Sequence, residues 1–349
     1  MRFCANNKLD CRLRRQITLT LRHRPCFIAK YVCFHRICSI EIGESVGMKL
    51  LVTGASGFIG TALCQQLVEQ GHALTLFTRG SPPNPNTGAK RWLHWTPGTL
   101  RSWESELDGL DGVINLTGEP IAARKWTNTQ RRRLEKSRVD ATHVLVAACA
   151  KAQRKPKFLI NASAVGYYGP HGDEILTEDA PHGEDFLSLL CRDWEEEAIM
   201  AEQYGIRVVR LRTGIVLGPN GGALEKMTTP YRFFLGGPLG SGKQWMSWIH
   251  LEDQVRLILH VIGNPQASGA INATAPNPVQ NEEFSRTLGK VLKRPSWFAV
   301  PAFALRMKLG DLADVLLTGQ RVVPAAAQKL GFEFHYPDLR QALEACMPL

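Results

Sequence analysis

Three regularly spaced glycines are the residues of this sequence whose chemistry is most readily inferred. Gly54, Gly57 and Gly60 follow a short apolar run and open a segment with helical periodicity. The first glycine allows a sharp turn, the second lets a pyrophosphate approach the backbone, and the third allows close helix–sheet packing. The free N–H groups of the following helix bind the pyrophosphate. We therefore predict a dinucleotide site with contacts from Gly54, Ser56, Gly57, Phe58, Ile59 and Gly60.

The end of the next apolar run indicates which dinucleotide is bound. Sites that prefer NAD usually place an acidic residue there, which accepts a hydrogen bond from the ribose 2′-hydroxyl. This sequence has Thr78 and Arg79 instead. A guanidinium attracts a 2′-phosphate, and one charge-assisted contact of about 1.5–3 kcal/mol sets a preference of roughly tenfold or more. We predict NADP, with NAD as the less favoured cofactor and a solvated loop arginine as the alternative interpretation of Arg79.

The elements that must position these residues alternate between strands and helices. Apolar runs predict buried strands, and apolar residues at helical spacing predict the helices between them. Predicted strands cover Lys49–Thr53, Ala73–Phe77, Gly112–Leu116, Phe158–Ala162 and Val208–Leu211, and predicted helices cover Phe58–Gln70, Thr127–Ala152 and Phe186–Tyr204. This alternation specifies an α/β fold with a doubly wound parallel sheet of the Rossmann type.

After about residue 217 the regular alternation ends, and glycine and proline become frequent. In doubly wound folds this change is typical of a second, smaller lobe that closes a cleft over the carboxyl ends of the strands. We expect a Rossmann domain over residues 48–220 and a C-terminal substrate lobe over residues 221–349.

The first 47 residues differ in composition from the rest of the chain. They hold nine of the 42 Lys and Arg residues but only three of the 32 Asp and Glu residues. An over-extended start codon before Met48 is the preferred interpretation, and an organellar targeting segment is the second. A metal site is a third, although the spacing fits no standard zinc pattern; its ligands would be Cys26, Cys33, His35 and Cys38.

Most of the net charge of +10 therefore lies outside the predicted folded body, which removes the main electrostatic argument for a nucleic-acid partner. No apolar run reaches the roughly 18 residues that span a bilayer. Four scattered cysteines in the body indicate reduced thiols rather than a disulfide framework. We expect a cytoplasmic protein, or an organellar one if residues 1–47 are a transit peptide, with a small-molecule substrate, no nucleic-acid or membrane partner and a homodimer as the assembly considered.

Several longer strings carry a resemblance to a known family. They are TGASGFIG at 53–60, NLTGEPI at 115–121, SAVGYYG at 163–169, DWEEEA at 193–198, RLRTGIVLGPNGGAL at 210–224, GGPLGSGKQWMSWIH at 236–250 and GFEFHYPDLRQAL at 331–343. With these strings the chain resembles the extended short-chain dehydrogenase/reductase superfamily, in its NAD(P)-dependent epimerase/dehydratase-like, YfcH-like branch. The resemblance runs from Met48 to the C-terminus and implies a short C-terminal domain of unknown function at about residues 296–343.

The resemblance implies further cofactor contacts. Thr78 and Arg79 would meet the adenosine end of the cofactor. The ribose and nicotinamide path would be lined by Leu116, Thr117 and Gly118, with Val216 near the nicotinamide. Arg138 would be a second cofactor contact, with a helix-surface cation as the alternative.

The superfamily catalyses proton exchange with a serine and a Tyr-xxx-Lys pair, in which the lysine lowers the pKa of the tyrosine. Ser163 matches the serine position. About 25 residues later this chain reads Leu187-Ser-Leu-Leu-Cys191-Arg192, and no tyrosine in the sequence has a lysine four residues later. Tyr167 and Tyr168 are the substitutes we consider, and the resemblance also implies a structural or substrate-contacting role for the second of them.

Other candidates near the missing pair have simpler interpretations. Asp193 and Glu195 are expected on a solvated acidic helix face, and Cys191 is expected to be a core residue. Trp248 and His250 belong to a dense aromatic patch that would contact a flat or ring-shaped substrate. By resemblance, His250 could equally be a hydrogen-bonded residue at the seam between lobes.

Two functions of different class follow. The first is an NADP-dependent epimerase or oxidoreductase that transfers hydride on a small hydroxylated or nucleotide-linked compound. The second is a catalytically silent NADP(H)-binding protein with a redox-sensing or regulatory role. The glycine turn fits both, the absence of Tyr-xxx-Lys favours the second, and the retained Ser163 favours the first.

Overall fold

The computed structural model describes residues 47–78, 91–95 and 102–347, which fall within one compact unit, Val46–Leu349. The predictions for residues 1–46 and for Arg79 therefore lie outside the described residues. No helix in the described ranges is long and apolar enough to cross a membrane.

A parallel sheet of seven strands forms the centre of the described chain. Its strands follow the spatial order β3-β2-β1-β4-β5-β7-β11, with bounds β1 Lys49–Thr53, β2 Ala73–Thr78, β3 Arg91–His94, β4 Gly112–Asn115, β5 Phe158–Ala164, β7 Arg207–Thr213 and β11 Gly269–Ala273. The chain order reverses between β1 and β4, which is the topological switch point where doubly wound sheets bind ligands. The predicted fold class is confirmed.

Short strands pair outside this sheet. They are β6 Ile175–Leu176 with β13 Arg321–Val322, β8 Ile215–Leu217 with β10 Trp248–His250, and β9 Trp245–Met246 with β12 Val279–Gln280. The α-helices are α1 Phe58–Glu69, α2 Asn128–Lys136, α3 Val139–Lys151, α4 Phe186–Ile199, α5 Gly222–Arg232, α6 Leu251–Gly263, α7 Asn281–Leu292, α8 Ala302–Leu309, α9 Leu312–Leu317, α10 Ala325–Lys329 and α11 Leu339–Cys346. Short 3₁₀ helices cover Ser102–Leu107, Val165–Tyr168 and Met200–Tyr204.

Apolar side chains pack on both faces of the sheet, as the continuous apolar character of the strands requires. Leu50 and Val52 face the layer that includes α1 and α6, whereas Leu51 faces the layer that includes α3. All three are fully buried. A separate core belongs to the C-terminal half, where Trp248, α7 and α11 pack together.

The structure corrects one prediction about elements. The helix predicted over Thr127–Ala152 is divided into α2 and α3, because Arg138 has φ −117° and ψ −67°, which interrupts the helical geometry. The Ser137 hydroxyl at this junction donates to Leu134 O and accepts from Glu119 N.

The domain boundary at residue 220 stays a prediction. After that residue the chain returns to the central sheet, since β11 pairs with β7 and α6 packs against the α1 side.

Candidate functional site

The glycine turn lies at the end of β1, as its spacing predicts. Gly54 has φ +70°, a conformation that residues with a Cβ rarely adopt, and a Cβ there would lie 2.5 Å from Leu116 O. A Cβ at Gly60 would overlap with the carbonyl oxygen of Gly54. Both positions therefore require glycine, because the strand, the turn and the helix approach one another too closely for any side chain.

The N-terminus of α1 is open for an anion. Gly57 is its N-cap residue and makes no side-chain cap, and no acidic residue lies in the first turn. The first N–H groups of a helix have no partner within the helix, so they are available to a bound phosphate. Ser56 and Gly57 are exposed beside these groups. This turn is a cradle that fits the pyrophosphate of a dinucleotide.

The ring of Phe58 points from this turn towards a second glycine-rich loop. Cβ atoms at Gly218, Gly221 or Gly222 would lie within about 3 Å of that ring. These glycines follow β8, which carries the half-buried Val216. Phe58 therefore connects the phosphate cradle with the strand that the resemblance places near the nicotinamide.

The segment after β4 runs along the other side of the cradle. Leu116 N donates to Thr53 O at 3.2 Å, and Thr117 N donates to Asn115 Oδ1 at 3.3 Å. The Thr117 hydroxyl is buried and has no hydrogen-bond partner among the described residues. Gly118 is exposed. A polar ligand lying along this segment would supply the partner that the threonine hydroxyl lacks.

Buried polar side chains fix the strand ends beneath this segment. Asn115 accepts from the Thr53 hydroxyl at 2.6 Å and donates to Asn161 Oδ1 at 2.6 Å and to the Thr142 hydroxyl at 2.9 Å. The Trp194 indole donates to the same threonine at 2.9 Å. The network joins β1, β4, β5, α3 and α4, so it holds the ligand-facing edge of the sheet in one register.

Arg138 lies between the two helices and not on an open surface. Its guanidinium donates to Glu119 O at 2.9 Å and to Leu134 O at 3.2 Å, and it lies 5.2 Å from the centre of the Trp194 ring. Burial lowers the pKa of Arg138. These contacts make Arg138 a support for the backbone just after Gly118. A direct contact with the cofactor stays a prediction.

Thr78 closes β2, as expected for the residue nearest the adenosine end. It is half-buried and pairs with His94 in the register of β2 and β3. The next residue, Arg79, lies outside the described residues.

Ser163 belongs to a buried ionic cluster at the end of β5. Its hydroxyl donates to Glu195 Oε1 at 2.7 Å, and Arg212 binds both oxygens of the same carboxylate at 2.9 Å. Arg210 adds a second cation, with its guanidinium 3.2 Å from Glu195 Oε2. Ser163 and Arg212 are direct neighbours in the β5–β7 register. Because the serine hydrogen is committed to Glu195, the lone pairs of its oxygen remain available to accept from a ligand hydroxyl.

The expectation that Asp193 and Glu195 lie on a solvated acidic helix face is wrong for Glu195. Glu195 is 2% exposed, whereas the Asp193 side chain on the same helix is 41% exposed and pairs with Arg192 at 2.5 Å. Helical periodicity could have revealed the difference, since Cys191, Trp194 and Glu195 fall on one buried face of α4. Burial disfavours the charge on Arg212, but the hydrogen bonds and charge of Glu195 outweigh it and raise the pKa of Arg212.

The two tyrosines after Ser163 differ sharply. Tyr168 is fully buried, donates to Asn272 Oδ1 at 2.6 Å and accepts from Arg212 at 3.0 Å. Burial raises its pKa to about 12. Tyr167 is half-buried, and among the described residues its hydroxyl has no hydrogen-bond partner. The guanidinium carbon of Arg212 lies 3.5 Å from the centre of the Tyr167 ring.

Apolar or sulfur-bearing residues occupy the place where a tyrosine and a lysine would stand. Leu187 packs near Gly166, and Cys191 lies on the same side of α4. Burial raises the pKa of Cys191 to about 12, so this thiol is a core group and not a nucleophile. The cation that stacks on the Tyr167 ring is instead Arg212, which comes from β7.

Trp248 does not meet the expectation of a substrate contact. Its side chain is fully buried in the C-terminal core, and its indole donates to Asn277 O at 3.1 Å. His250 is 6% exposed and caps α6, with Nδ1 accepting from Glu252 N at 3.2 Å. Its ring lies 3.9 Å from that of Tyr336, and its buried Nε2 has no partner among the described residues. Burial lowers the pKa of His250, which favours the neutral ring.

The switch-point cradle and the serine-bearing strand end together define a class of protein, a nucleotide-binding α/β protein of the extended short-chain dehydrogenase/reductase type. Residues 50–273 match the model of the NAD dependent epimerase/dehydratase family, and the chain belongs to that family. Residues 300–346 match a second family, a domain of unknown function named DUF1731. The family predicted from the sequence strings is confirmed.

Three relatives show how far the similarity extends. The chain is 43% identical over 317 residues to the epimerase family protein SDR39U1 homolog, chloroplastic, of Arabidopsis thaliana, covering 90% of each chain. It is 40% identical over 299 residues to the epimerase family protein YfhF of Bacillus subtilis, covering 85% of this chain and 97% of that one. A crystal structure of the human epimerase family protein SDR39U1 (isoform 2) with NADPH has a TM-score of 0.76 and 34% identity, covering 86% of this chain and 99% of that one.

Proposed function

We propose that this chain binds NADP(H) and transfers hydride between it and a small hydroxylated or nucleotide-linked compound, as an epimerase or oxidoreductase. The observation that carries the proposal is the glycine cradle at the switch point, where two positions admit only glycine and α1 offers an uncapped N-terminus. NADPH in the human relative, at 34% identity, supports the same cofactor.

The choice of NADP over NAD rests on Arg79 and on the absence of an acidic residue at the end of β2. Thr78, Leu116, Thr117, Gly118 and Val216 complete the proposed cofactor path. The unpartnered Thr117 hydroxyl supports this path, because a bound ribose would supply the hydrogen bond that it lacks.

Tyr167 is the proposed acid–base residue. A bound nicotinamide would accept or donate hydride at the substrate carbon, and the chain's own task is then to move a proton at the substrate oxygen. The Tyr167 hydroxyl has no hydrogen-bond partner among the described residues, so it is free to meet a substrate oxygen. The Arg212 guanidinium carbon lies 3.5 Å from the centre of the Tyr167 ring and fixes the position of that ring beside Ser163.

Ser163 is the proposed anchor of the substrate oxygen. Glu195 holds the serine hydroxyl at 2.7 Å in one orientation, so the serine can accept from a substrate hydroxyl without rotating. Tyr168 is assigned a positioning role, because both of its hydroxyl partners lie within the protein and its side chain is fully buried.

A catalytically silent NADP(H)-binding protein is the second candidate. The observation that favours it is that the half-buried Leu187 and the buried thiol Cys191 stand where the superfamily places its acid–base pair. Such a protein would report cofactor or redox state to a partner and would need only the glycine cradle.

The test mixes the full chain and NADPH with each of a panel of carbonyl compounds and sugar nucleotides and measures the change in NADPH absorbance. We expect turnover on at least one compound, and a loss of roughly 100-fold or more for Tyr167→Phe, the range typical of a general acid or base. Tyr204→Phe, an exposed tyrosine remote from Ser163 in the sequence, is the matched control and should keep full activity. Tight NADPH binding without turnover on any compound would select the second candidate.

We propose a cytoplasmic location. We also expect no nucleic-acid partner, because the predicted folded body is almost neutral. An organellar location is the alternative if residues 1–47 act as a transit peptide. Fluorescent fusions with and without residues 1–47 would separate the two, since only a targeting segment changes the location when it is removed.

A further inference from the structure

The domain of unknown function at residues 300–346 contacts the acid–base side of the site through one short segment. This segment, residues 319–323, is here called the strap; it lies between α9 and α10 and contains β13. The 3₁₀ turn Val165–Tyr168, here called the acid–base turn, carries Tyr167 and follows directly after β5, the strand of Ser163. The contacts between the strap and this turn indicate what the domain contributes.

One side chain of the strap reaches the backbone of the acid–base turn. Gln320 Nε2 donates to Val165 O at 2.8 Å, across 155 positions of the sequence. The next carbonyl of the turn, Gly166 O, accepts from the Ser188 hydroxyl of α4 at 3.0 Å. Side chains from two different elements therefore hold two successive carbonyls, which restricts the movement of the turn as a unit.

An apolar contact adds to this hydrogen bond. Val322 of the strap and Tyr168 of the turn are both fully buried and belong to one apolar cluster. The half-buried Val165 and Tyr167 pack against the same cluster. Both tyrosines of the acid–base turn therefore share a small core with the domain of unknown function.

The strap is itself anchored to two other parts of the chain. The Ser247 hydroxyl, between β9 and β10, donates to Gln320 O at 2.7 Å and accepts from Val322 N at 3.0 Å. Asn272 Nδ2 of β11 donates to Val323 O at 3.0 Å. A segment with these anchors can fix the position of a turn that packs against it.

We propose that Gln320 is a positioning residue for the acid–base turn, and that holding this turn is the role of the domain of unknown function. The inference rests on the proposed function, in which Tyr167 moves a proton at the substrate oxygen. The place of the Tyr167 hydroxyl depends on the turn and on the Arg212 guanidinium against its ring. Proton transfer requires a distance of about 2.6–3.2 Å, so a small displacement of the turn would slow the reaction.

Hydrogen–deuterium exchange of the full chain, read by mass spectrometry, tests the proposal without a substrate. Gln320→Leu keeps about the volume of the side chain and removes its N–H donor. We expect amides in peptides covering residues 164–170 to exchange roughly three- to tenfold faster, the effect of one lost hydrogen bond on local opening. Exchange in the glycine cradle, residues 53–60, should stay unchanged. The matched control is Gln328→Leu at an exposed position of α10 in the same domain, and it should leave both regions unchanged.

Steady-state kinetics give the second readout, with whichever carbonyl compound or sugar nucleotide the full chain turns over. Gln320→Glu joins the test, because it keeps the length of the side chain and replaces the N–H donor with an acceptor. Expressed per NADPH site titrated by calorimetry, kcat should fall at least tenfold in both Gln320 variants. The KM for NADPH should change less than about twofold, since the cradle belongs to β1 and α1. Counting NADPH sites removes any loss that comes from unfolded protein.

Unchanged exchange in the acid–base turn for both Gln320 variants would overturn the proposal, whatever their activity. Faster exchange together with an unaltered kcat would also overturn it, since the turn could then move without any effect on the reaction. Faster exchange in a chain that turns over no compound would contradict the proposed function and still support the strap as the support of this turn.

Discussion

The cofactor side of the cleft and its acid–base side are held by different kinds of interaction. At the cofactor side the contacts are between backbone atoms. Glycines at positions 54 and 60 allow β1, the glycine turn, α1 and the segment after β4 to approach within van der Waals distance. At the acid–base side, a buried carboxylate holds Ser163 and two arginines from β7. The packing of the first region requires glycines without side chains. The packing of the second requires a buried carboxylate and its arginines, because neither charge is stable there without the other.

The largest expected effect concerns the charged side. Glu195→Ala leaves Arg212 buried without its carboxylate, and removing one partner of a buried ion pair costs about 3–5 kcal/mol. The free energy of unfolding, measured in urea, should fall by that amount. Glu197→Ala on the same helix is the control, because both members of its pair with His143 contact solvent, at 30% and 67% exposure, and a surface pair contributes at most about 1 kcal/mol. Equal losses for the two variants would remove the contrast between the regions.

The next effect concerns the backbone side. Gly54→Ala forces a Cβ into a left-handed turn and against Leu116 O, so the free energy of unfolding should fall by about 2–4 kcal/mol. Gly71→Ala is the control. Gly71 also has a positive φ, +83°, but no atom would lie within 4 Å of a Cβ there, so this variant measures backbone strain without steric overlap. It should cost less, about 1–2 kcal/mol, and leave NADPH binding intact. A smaller loss for Gly54→Ala than for its control would contradict the close approach.

A third effect bears on cofactor choice. Arg79→Ala should reduce the preference for NADPH over NADH by roughly tenfold or more, because one charge-assisted contact to the 2′-phosphate is lost. Calorimetric titration of both nucleotides gives the ratio, and NADH affinity should stay unchanged. An unaltered ratio would show that Arg79 is a solvated loop residue.

The smallest effect is a pH dependence of stability that arises from His250, the N-cap residue of α6. Burial lowers the pKa of His250 below its ordinary value of 6.5, so the unfolded chain binds a proton more readily there. Stability should therefore be complete above about pH 6.5 and decline as the pH falls towards the folded pKa. His250→Asn keeps a side chain that caps α6 and should flatten the decline, leaving the part due to His72, whose pKa burial also lowers. An identical slope in the variant would remove His250 from this account.

The same contrast explains what the sequence predicts well. Glycine spacing, apolar runs and helical periodicity act over a few residues, so the cradle, β1, α1 and the sheet class follow from local patterns. The acid–base side joins residues 15 to 104 positions apart, as in the contacts of Arg210 with Glu195 and of Tyr168 with Asn272. Helical periodicity in α4 can mark Glu195 as buried, but no local pattern identifies the arginines of β7 as its partners.

The strands β3 and β11 were also missed, for separate reasons. β3 has four residues at the sheet edge, with a mixed polar sequence that lacks an apolar run. β11, Gly269–Ala273, contains glycine, asparagine and alanine around a single isoleucine, so it lacks an apolar run of the kind that predicts a buried strand. Both strands are defined by pairing with a neighbour already in the sheet, which is tertiary context rather than local propensity.

Calorimetric titration of the full chain with NADPH and, separately, with NADH tests the central claim most directly. The account predicts saturable binding of one nucleotide per chain, with NADPH favoured by roughly tenfold or more. Absence of NADPH binding, or equal affinity for the two nucleotides, would contradict it.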